Sequence, residues 1–225
     1  MLGARNYPER ALVTGFFIIL ILEPMMLLRE IIADAIDIIG RPDLQNFITT
    51  RARQQLKLLH AIDNWPRDKV EHIITVQTPN TVVRSNLPAY WRKFDIIAPC
   101  DRDGNIFLVP NQEIDTIGFR EADPRMVTGH QQKMDTDYWY VAGDVLNIRA
   151  SMTVSHLYVS YYKYPDLSST EAVTWITESY PEMVTYRILM ACYAMLGNME
   201  QRAVYEALYN EAFQVFVSNA GASGV

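Results

Sequence analysis

Two helical stripes open the patterned part of the chain. Leu27, Leu28, Ile31, Ile32, Ala35, Ile36 and Ile39 recur every three or four residues, and Arg29, Glu30, Asp34 and Asp37 take the other face. This spacing predicts an amphipathic helix from about Met25 to Ile39, stopped by Gly40 and by Pro42, which cannot continue it. A second stripe of Leu44, Phe47, Ile48, Ala52, Leu56, Leu59 and Ile62 predicts a helix over residues 43–62, ended by Asn64-Trp65-Pro66. Its outer face carries Arg51, Arg53, Gln54, Gln55 and Lys57. The connection is short, so residues 25–70 are expected to form an antiparallel helix pair.

Over residues 71–165 the pattern changes. Runs rich in β-branched and aromatic residues at 72–77, 95–98, 106–109, 138–141, 145–149 and 153–163 predict strands. Asp103-Gly104 and Gly143-Asp144 predict hairpin turns, and residues 118–132 read as a long polar connection. Helix returns after Pro165. Ser168 and Glu171 have capping-box spacing ahead of a short helix through Trp175. Pro181 opens a helix to Leu196 that is apolar almost all round and is therefore expected to be central. Gly197 stops it and Asn198 can cap a last helix to about Val217. Ala203, Val204, Leu208, Ala212, Val215 and Phe216 are expected to face inward there, and residues 218–225 to form a loose tail. The resulting fold class is α+β. It has an antiparallel helical bundle core, made of the N-terminal helix pair and a C-terminal helical hairpin within 166–217, with an antiparallel β region inserted at 71–165.

Residues 1–24 depart from this order. Residues 11–22 (ALVTGFFIILIL) are a continuous apolar run behind Arg5 and Arg10. A bilayer span needs about 20 residues, so the run is short for one. Its length and basic flank suit a signal-peptide core, yet Glu23-Pro24 follow without a small-residue cleavage site. Three readings stay open: dispensable sequence ahead of a start at Met25 or Met26, a buried or docking segment, and a membrane or export element.

Composition narrows the function classes. Of 225 residues, 49% are hydrophobic and 20% charged, enough for a packed core and too apolar for wholesale disorder. The net charge of −6 argues against a protein that grips nucleic acid by counterion release. Cys100 and Cys192 cannot build a disulfide framework and form no C-x-x-C pair, which points to a reducing compartment. His60, His72, His130 and His156 stand on different elements, none at ligand spacing. Asp101-Arg102-Asp103-Gly104-Asn105 has a faint likeness to a calcium loop, but its Gly is two places early and Gln112 stands where Glu is needed. It reads as a turn. Glu178 and Glu182 flank Pro181 as a solvated helix start, and Arg51 and Arg53 read as a solvated face. Tyr158 and Tyr162 fall on one face of their strand and Tyr161 on the other, which favours sheet packing over base stacking. No G-x-S-x-G, Walker A or G-x-G-x-x-G occurs. Nothing supports an enzyme or a cofactor.

The order of elements resembles the head-to-tail adaptor, or connector, proteins of tailed bacteriophages. The likeness is carried by Gly40-Arg41-Pro42-Asp43, by Leu87-Pro88-Ala89-Tyr90-Trp91-Arg92, and by Tyr138-Trp139-Tyr140-Val141-Ala142-Gly143-Asp144 with Leu146, Ile148 and Arg149. Tyr161-Tyr162 with Pro165, Trp175-Ile176, Tyr180-Pro181-Glu182 and the hairpin around Leu196-Gly197-Asn198-Met199-Glu200 complete it over residues 26–217. The resemblance implies a structural virion protein without catalytic, cofactor or metal residues. It would form a ring of itself, expected to be twelve-fold, with the portal protein above and a tail or nozzle protein below. Packaged DNA would pass through unbound, since a lumen that does not attract phosphate does not retain it. It implies a place in the virion neck, host cytoplasm during assembly and no stable membrane partner. Family-motif structural positions are Pro42, Pro88, Tyr140, Gly143, Asp144, Tyr161, Tyr162, Pro165, Trp175 and Pro181. Phe213, Val215, Phe216 and Val217 form an apolar cluster that one helix stripe cannot hide, and with Asn219 and Ala220 they are the expected portal-docking arm. The rival classes are a membrane- or envelope-associated protein anchored by residues 11–22 and, more weakly, a nucleic-acid-binding module.

A chain beginning at Met26 is expected to fold and to rescue virions that lack the protein. Rescue by the full-length chain alone would overturn this.

Overall fold

The computed structural model describes residues 26–107, 118–123 and 137–222. The chain is a mixed α+β fold with five α-helices and one five-stranded sheet among these residues. Helix α1 (Leu28–Ile39) begins where the Leu27 backbone N–H donates to Glu30 Oε2 at 2.8 Å. It ends at Gly40, whose N–H donates to the Ile36 carbonyl at 2.9 Å. A 3-10 turn over Pro42–Leu44 leads into α2 (Gln45–Ala61). Both predicted stripes are buried: Leu28, Ile31, Ile32 and Ala35 from α1, and Ile48, Ala52, Leu56 and Leu59 from α2. Ile62, beyond the end of α2, is exposed.

The remaining helices are α3 (Trp175–Ser179), α4 (Pro181–Met195) and α5 (Met199–Ala222). As its all-round apolarity predicts, α4 touches α1, α2, α3 and α5, and it buries Met183, Val184, Ile188, Leu189 and Cys192. Three expectations here are corrected. The capping box belongs to Thr174 and Thr177, with Thr177 N–H donating to Thr174 Oγ1 at 3.2 Å, so Trp175 begins the short helix instead of ending it. Ser168 and Glu171 lie in the connection before it. On α5 the inward face is Tyr205, Tyr209, Ala212, Phe213, Phe216 and Ala220, while Ala203, Val204, Leu208 and Val215 are exposed. Large rings reach the core from this helix, and they set its rotation. Finally, α5 continues past Val217 to Ala222, so the loose tail expected from residue 218 is helical to there.

The sheet is built around one long strand. Strand β5 (Val145–Lys163) pairs antiparallel along almost its whole length with β1 (Lys69–Asn86). Its other edge is shared in sequence: β4 (Tyr138–Ala142) takes residues 145–149, and β2 (Trp91–Cys100) takes residues 156–163. Strand β3 (Arg120–Glu121) runs parallel to β4, inside the stretch expected to be a polar connection. The two strands expected at 145–149 and 153–163 are thus one. Between them the ladder to β1 is irregular, with register shifts between Thr75 and Val82. Inward positions switch there from Leu146, Ile148, Ala150 and Val154 to Leu157, Val159 and Tyr161. An irregularity in a period-two element moves side chains to the other face, which disguises one strand as two.

Asp137 fills the gap on β5 between β4 and β2. Its Oδ1 accepts from the Ser151 N–H at 2.8 Å and the Ser151 hydroxyl at 3.0 Å, where no strand among the described residues supplies an acceptor. Gly118 packs against β2: an added Cβ would lie 2.6 Å from the Ile97 carbonyl oxygen, and its φ of +97° disfavours other residues. The Gly143-Asp144 turn joins β4 to β5 as predicted, with Ala142 paired to Val145. Asp101 organises the Asp103-Gly104 turn, accepting from the N–H groups of Asp103 and Asn105 at 2.9 Å each. Residues 108–109 of the expected third strand, His130 and most of the 118–132 connection lie outside the described residues.

Replacing Leu189 with Asp would place a carboxylate at a fully buried position of α4. The expected cost is several kcal/mol, read as insoluble protein. A soluble variant with an unchanged melting temperature would contradict the packing.

Candidate functional site

The most constrained cluster joins three segments distant in sequence. Where α2 ends, the chain turns through Trp65 and a 3-10 turn (Pro66–Asp68) directly into β1. Asp68, buried, accepts from His60 Nδ1 at 2.8 Å and from Trp175 Nε1 at 2.8 Å. Among the described residues His60 Nε2 is buried without a hydrogen-bond partner. Trp65 Nε1 donates to the Leu59 carbonyl at 3.1 Å, and the Arg67 guanidinium lies over the Trp175 ring. His60 is therefore a satisfied core histidine on its Nδ1 side. His72 is exposed on β1 and His156 half-buried beside Ser155.

Phe216 sits in the middle of this junction. Trp65 and Tyr180 meet it edge-on at 4.9 and 5.1 Å, Trp175 stacks on it at 5.6 Å, and Phe213 lies at 5.8 Å. The expected docking arm is consequently divided. Phe216 and Ala220 are buried in the subunit's own core and Phe213 packs against it. Val215 and Val217 are exposed at 53% and 41%, and Asn219 is exposed as well. Sequence reasoning missed Tyr205 and Tyr209 as core residues. Their signal was there, since Tyr205, Tyr209, Phe213 and Phe216 recur at steps of four, four and three. Arg187 donates to the Tyr209 hydroxyl at 2.7 Å and to Gln55 Oε1 at 2.7 Å, tying α4 to α5 and α2. Burial raises the Tyr209 phenol above its ordinary range, and it pushes the Cys192 thiol up to about 11. Cys100 is also free and buried, its thiol raised by the same cause.

The family-motif positions mark turns and element ends and do not converge on a cavity. Pro42 opens the first 3-10 turn and Pro181 the first turn of α4. Pro88 accepts from Trp91 N–H at the bend between β1 and β2. Tyr140 is half-buried on β4, with Tyr138 stacked beside it at 6.3 Å. Gly143 and Asp144 form the hairpin turn, and the Asp144 carbonyl accepts from Leu87 N–H at 3.0 Å. Tyr161 is buried against Phe94, and Tyr162, half-buried, lies under Arg92. Pro165 starts the connection that brings Trp175 back to Asp68.

Some of the surface charge is sorted by sign, although Arg29–Glu171, Arg41–Asp43 and Arg202–Glu206 are mixed pairs. Glu178 and Glu182 share an open groove with Glu211 at the edge of α4 and α5. Burial, then the charges of Glu182 and Glu211, raise the Tyr186 phenol that lies between them. Arg51 donates to Gln54 Oε1 and lies over Phe47, and Arg53 donates to the Ser168 carbonyl at 3.1 Å. The Asp101 carboxylate, its acidity enhanced first by the Asn105 side-chain amide, is occupied by the turn's own N–H groups. Among the described residues no three His, Cys, Asp or Glu side chains are grouped as a metal site requires.

These interactions position elements or leave surfaces open, and the chain has the make-up of a structural subunit. Residues 26–224 match the SU10 adaptor protein family. The chain belongs to that family of bacteriophage head-to-tail adaptors, as the resemblance over residues 26–217 implied. It is a phage structural adaptor, a class that belongs in the virion neck and associates with other head and tail proteins. No curated protein matches the sequence.

Removing the Asp68 carboxylate should be costly, because Asp68→Ala takes the acceptor from the buried His60 Nδ1 and the half-buried Trp175 Nε1. The expected loss in urea unfolding is about 3 kcal/mol. A loss below about 1 kcal/mol would show that the junction does not depend on it.

Proposed function

We propose that the chain forms a twelve-fold homo-oligomeric ring beneath the portal that joins the DNA-filled head to the tail or nozzle and lets DNA pass on ejection. The observation that carries the reading is the family match over residues 26–224. The net charge of −6 is in keeping with it, since DNA crossing an anionic lumen meets no attraction that would hold it back. Portal contact falls to the exposed part of the last helix. Val217 and Asn219 are the docking residues in this reading, whereas Phe216 and Ala220 hold α5 in place from inside. Weak contacts of this kind suffice in a ring, because every subunit repeats them. The membrane-associated alternative has no support from the described residues, where no helix is long and apolar enough to cross a membrane. Residues 11–22, on which it rests, lie outside them.

The test is labelling in situ. Protein tagged ahead of Met26 is expected at the neck of mature virions, with heads lacking it losing DNA. Val217→Asp should fold normally and attach at least about tenfold more weakly to portal-bearing heads, since it puts a charge into an apolar contact. Label found elsewhere in the virion would overturn the reading.

A further inference from the structure

We infer that the groove bounded by α3, α4 and α5, with the adjoining hollow beside α1, seats a second copy of this chain, which enters it with the exposed Arg51 and Lys57 side of its α2. The inference rests on the ring reading and names the contact that would build the ring.

The groove is large and unfilled. It encloses about 730 Å³ beside Pro181, Tyr186, Leu208 and Val215 and is rimmed by Glu178, Glu182 and Glu211. A smaller hollow of about 360 Å³ shares Pro181 and Tyr186 and adds Asp34, Asp37 and Ile38 from α1. Val215, Ile38 and Leu208 are exposed at 53%, 47% and 37%, a cost a subunit carries where a partner covers it. None of the five carboxylates takes part in the ion pairs of the described residues, which use Glu171, Asp43, Asp68, Asp95 and Glu206.

The complementary surface is on the same chain. Helix α2 has no Asp or Glu in its 17 residues, and it carries Arg51, Arg53 and Lys57. None of these cations meets a carboxylate among the described residues: Arg51 pairs with Gln54, Arg53 with the Ser168 carbonyl, and Lys57 lies over the Tyr164 ring. One turn apart beside Lys57, Leu58 and Ile62 are exposed at 50% and 47%. An apolar pair flanked by cations thus faces an apolar floor flanked by carboxylates. Charge complementarity of this kind fixes register and excludes wrong partners. Because groove and α2 face are different surfaces, the contact is head-to-tail, the type that generates rings when the rotation closes.

Two charge-reversed full-length proteins test this: Glu182→Lys with Glu211→Lys, and Arg51→Glu with Lys57→Glu. Self-association is followed by sedimentation and native mass spectrometry, and folding by melting temperature. Each variant alone should associate at least about tenfold more weakly than the natural chain. An equimolar mixture should recover association, since each groove then meets an α2 of opposite charge; misfolded variants would not be rescued by mixing. The natural chain should lose association with rising salt. The inference is overturned if the natural chain stays monomeric, if either variant associates normally, or if the mixture fails to recover. It is also overturned if a chain beginning at Met26 loses association, which would make residues 1–25, entering beside Met26 in the groove, the occupant. Neck labelling separates this from the ring reading. Protein at the neck with indifferent groove variants sinks only the inference, and rescue by mixing with no label at the neck sinks only the reading.

Discussion

A single buried carboxylate holds the two halves of this subunit in one arrangement. Asp68 ends the 3-10 turn from which β1 departs, and its oxygens take the ring N–H groups of His60 on α2 and Trp175 on α3. A buried carboxylate without such donors is strongly unfavourable, so three segments must meet there or the fold forfeits the interaction. Once Trp175 is fixed, its ring becomes one wall of the enclosure around Phe216. That fixes the rotation of α5, and with it which side chains of the last helix are left for other molecules. The exposed surfaces of the last helix therefore depend on a contact that none of them touches.

The sheet has an equivalent constraint in β5. One strand serves β1 on one edge and two successive partners on the other, so both sub-sheets share its twist and register. The join between β4 and β2 leaves backbone groups near Ser151 without a neighbouring strand. Asp137 closes that gap with its carboxylate, while its own N–H donates to the Arg149 carbonyl at 2.7 Å. A side chain thus substitutes for a missing strand, which satisfies the backbone without lengthening β2 or β4.

How much of this was legible depended on how cleanly one physical signal dominated each segment. Helices α1 and α2 were readable nearly to the residue, because a single apolar stripe, a Gly and a Pro all pointed the same way. Helix α4 announced its central place by lacking a polar face. Helix α5 did not announce its rotation, since Val204, Leu208 and Val215 offer a second apolar face that competes with the aromatic one. Leaving aliphatics outside is unfavourable for an isolated subunit, and a reading that buries them first chooses the wrong stripe. Strand β5 was split by its irregular middle, and the role of Asp68 was invisible because its partners lie 8 and 107 residues away. The groove was legible only as the isolated pair Glu178 and Glu182, because Glu211 joins them through tertiary packing.

The second apolar face of α5 and the sorting of charge follow from the same requirement. A subunit of net charge −6 repels its own copies at long range unless opposite charges are concentrated where the copies touch. Here the cations of α2 stand without acids in the same helix, and the acids of α1, α3, α4 and α5 line a groove and an adjoining hollow whose linings include no cation. Had the same residues been interspersed, they would have paired within the subunit, and each pair would have contributed little to stability. Kept apart, they remain available for contacts outside the subunit, and the exposed Val215, Leu208, Leu58 and Ile62 would desolvate and strengthen such contacts in the proposed ring. In the proposed ring these contacts would consume positive charge at the sides of each subunit, leaving the anionic excess on the surfaces that remain open. The charge pattern that brings copies together would thereby also keep the passage from holding DNA.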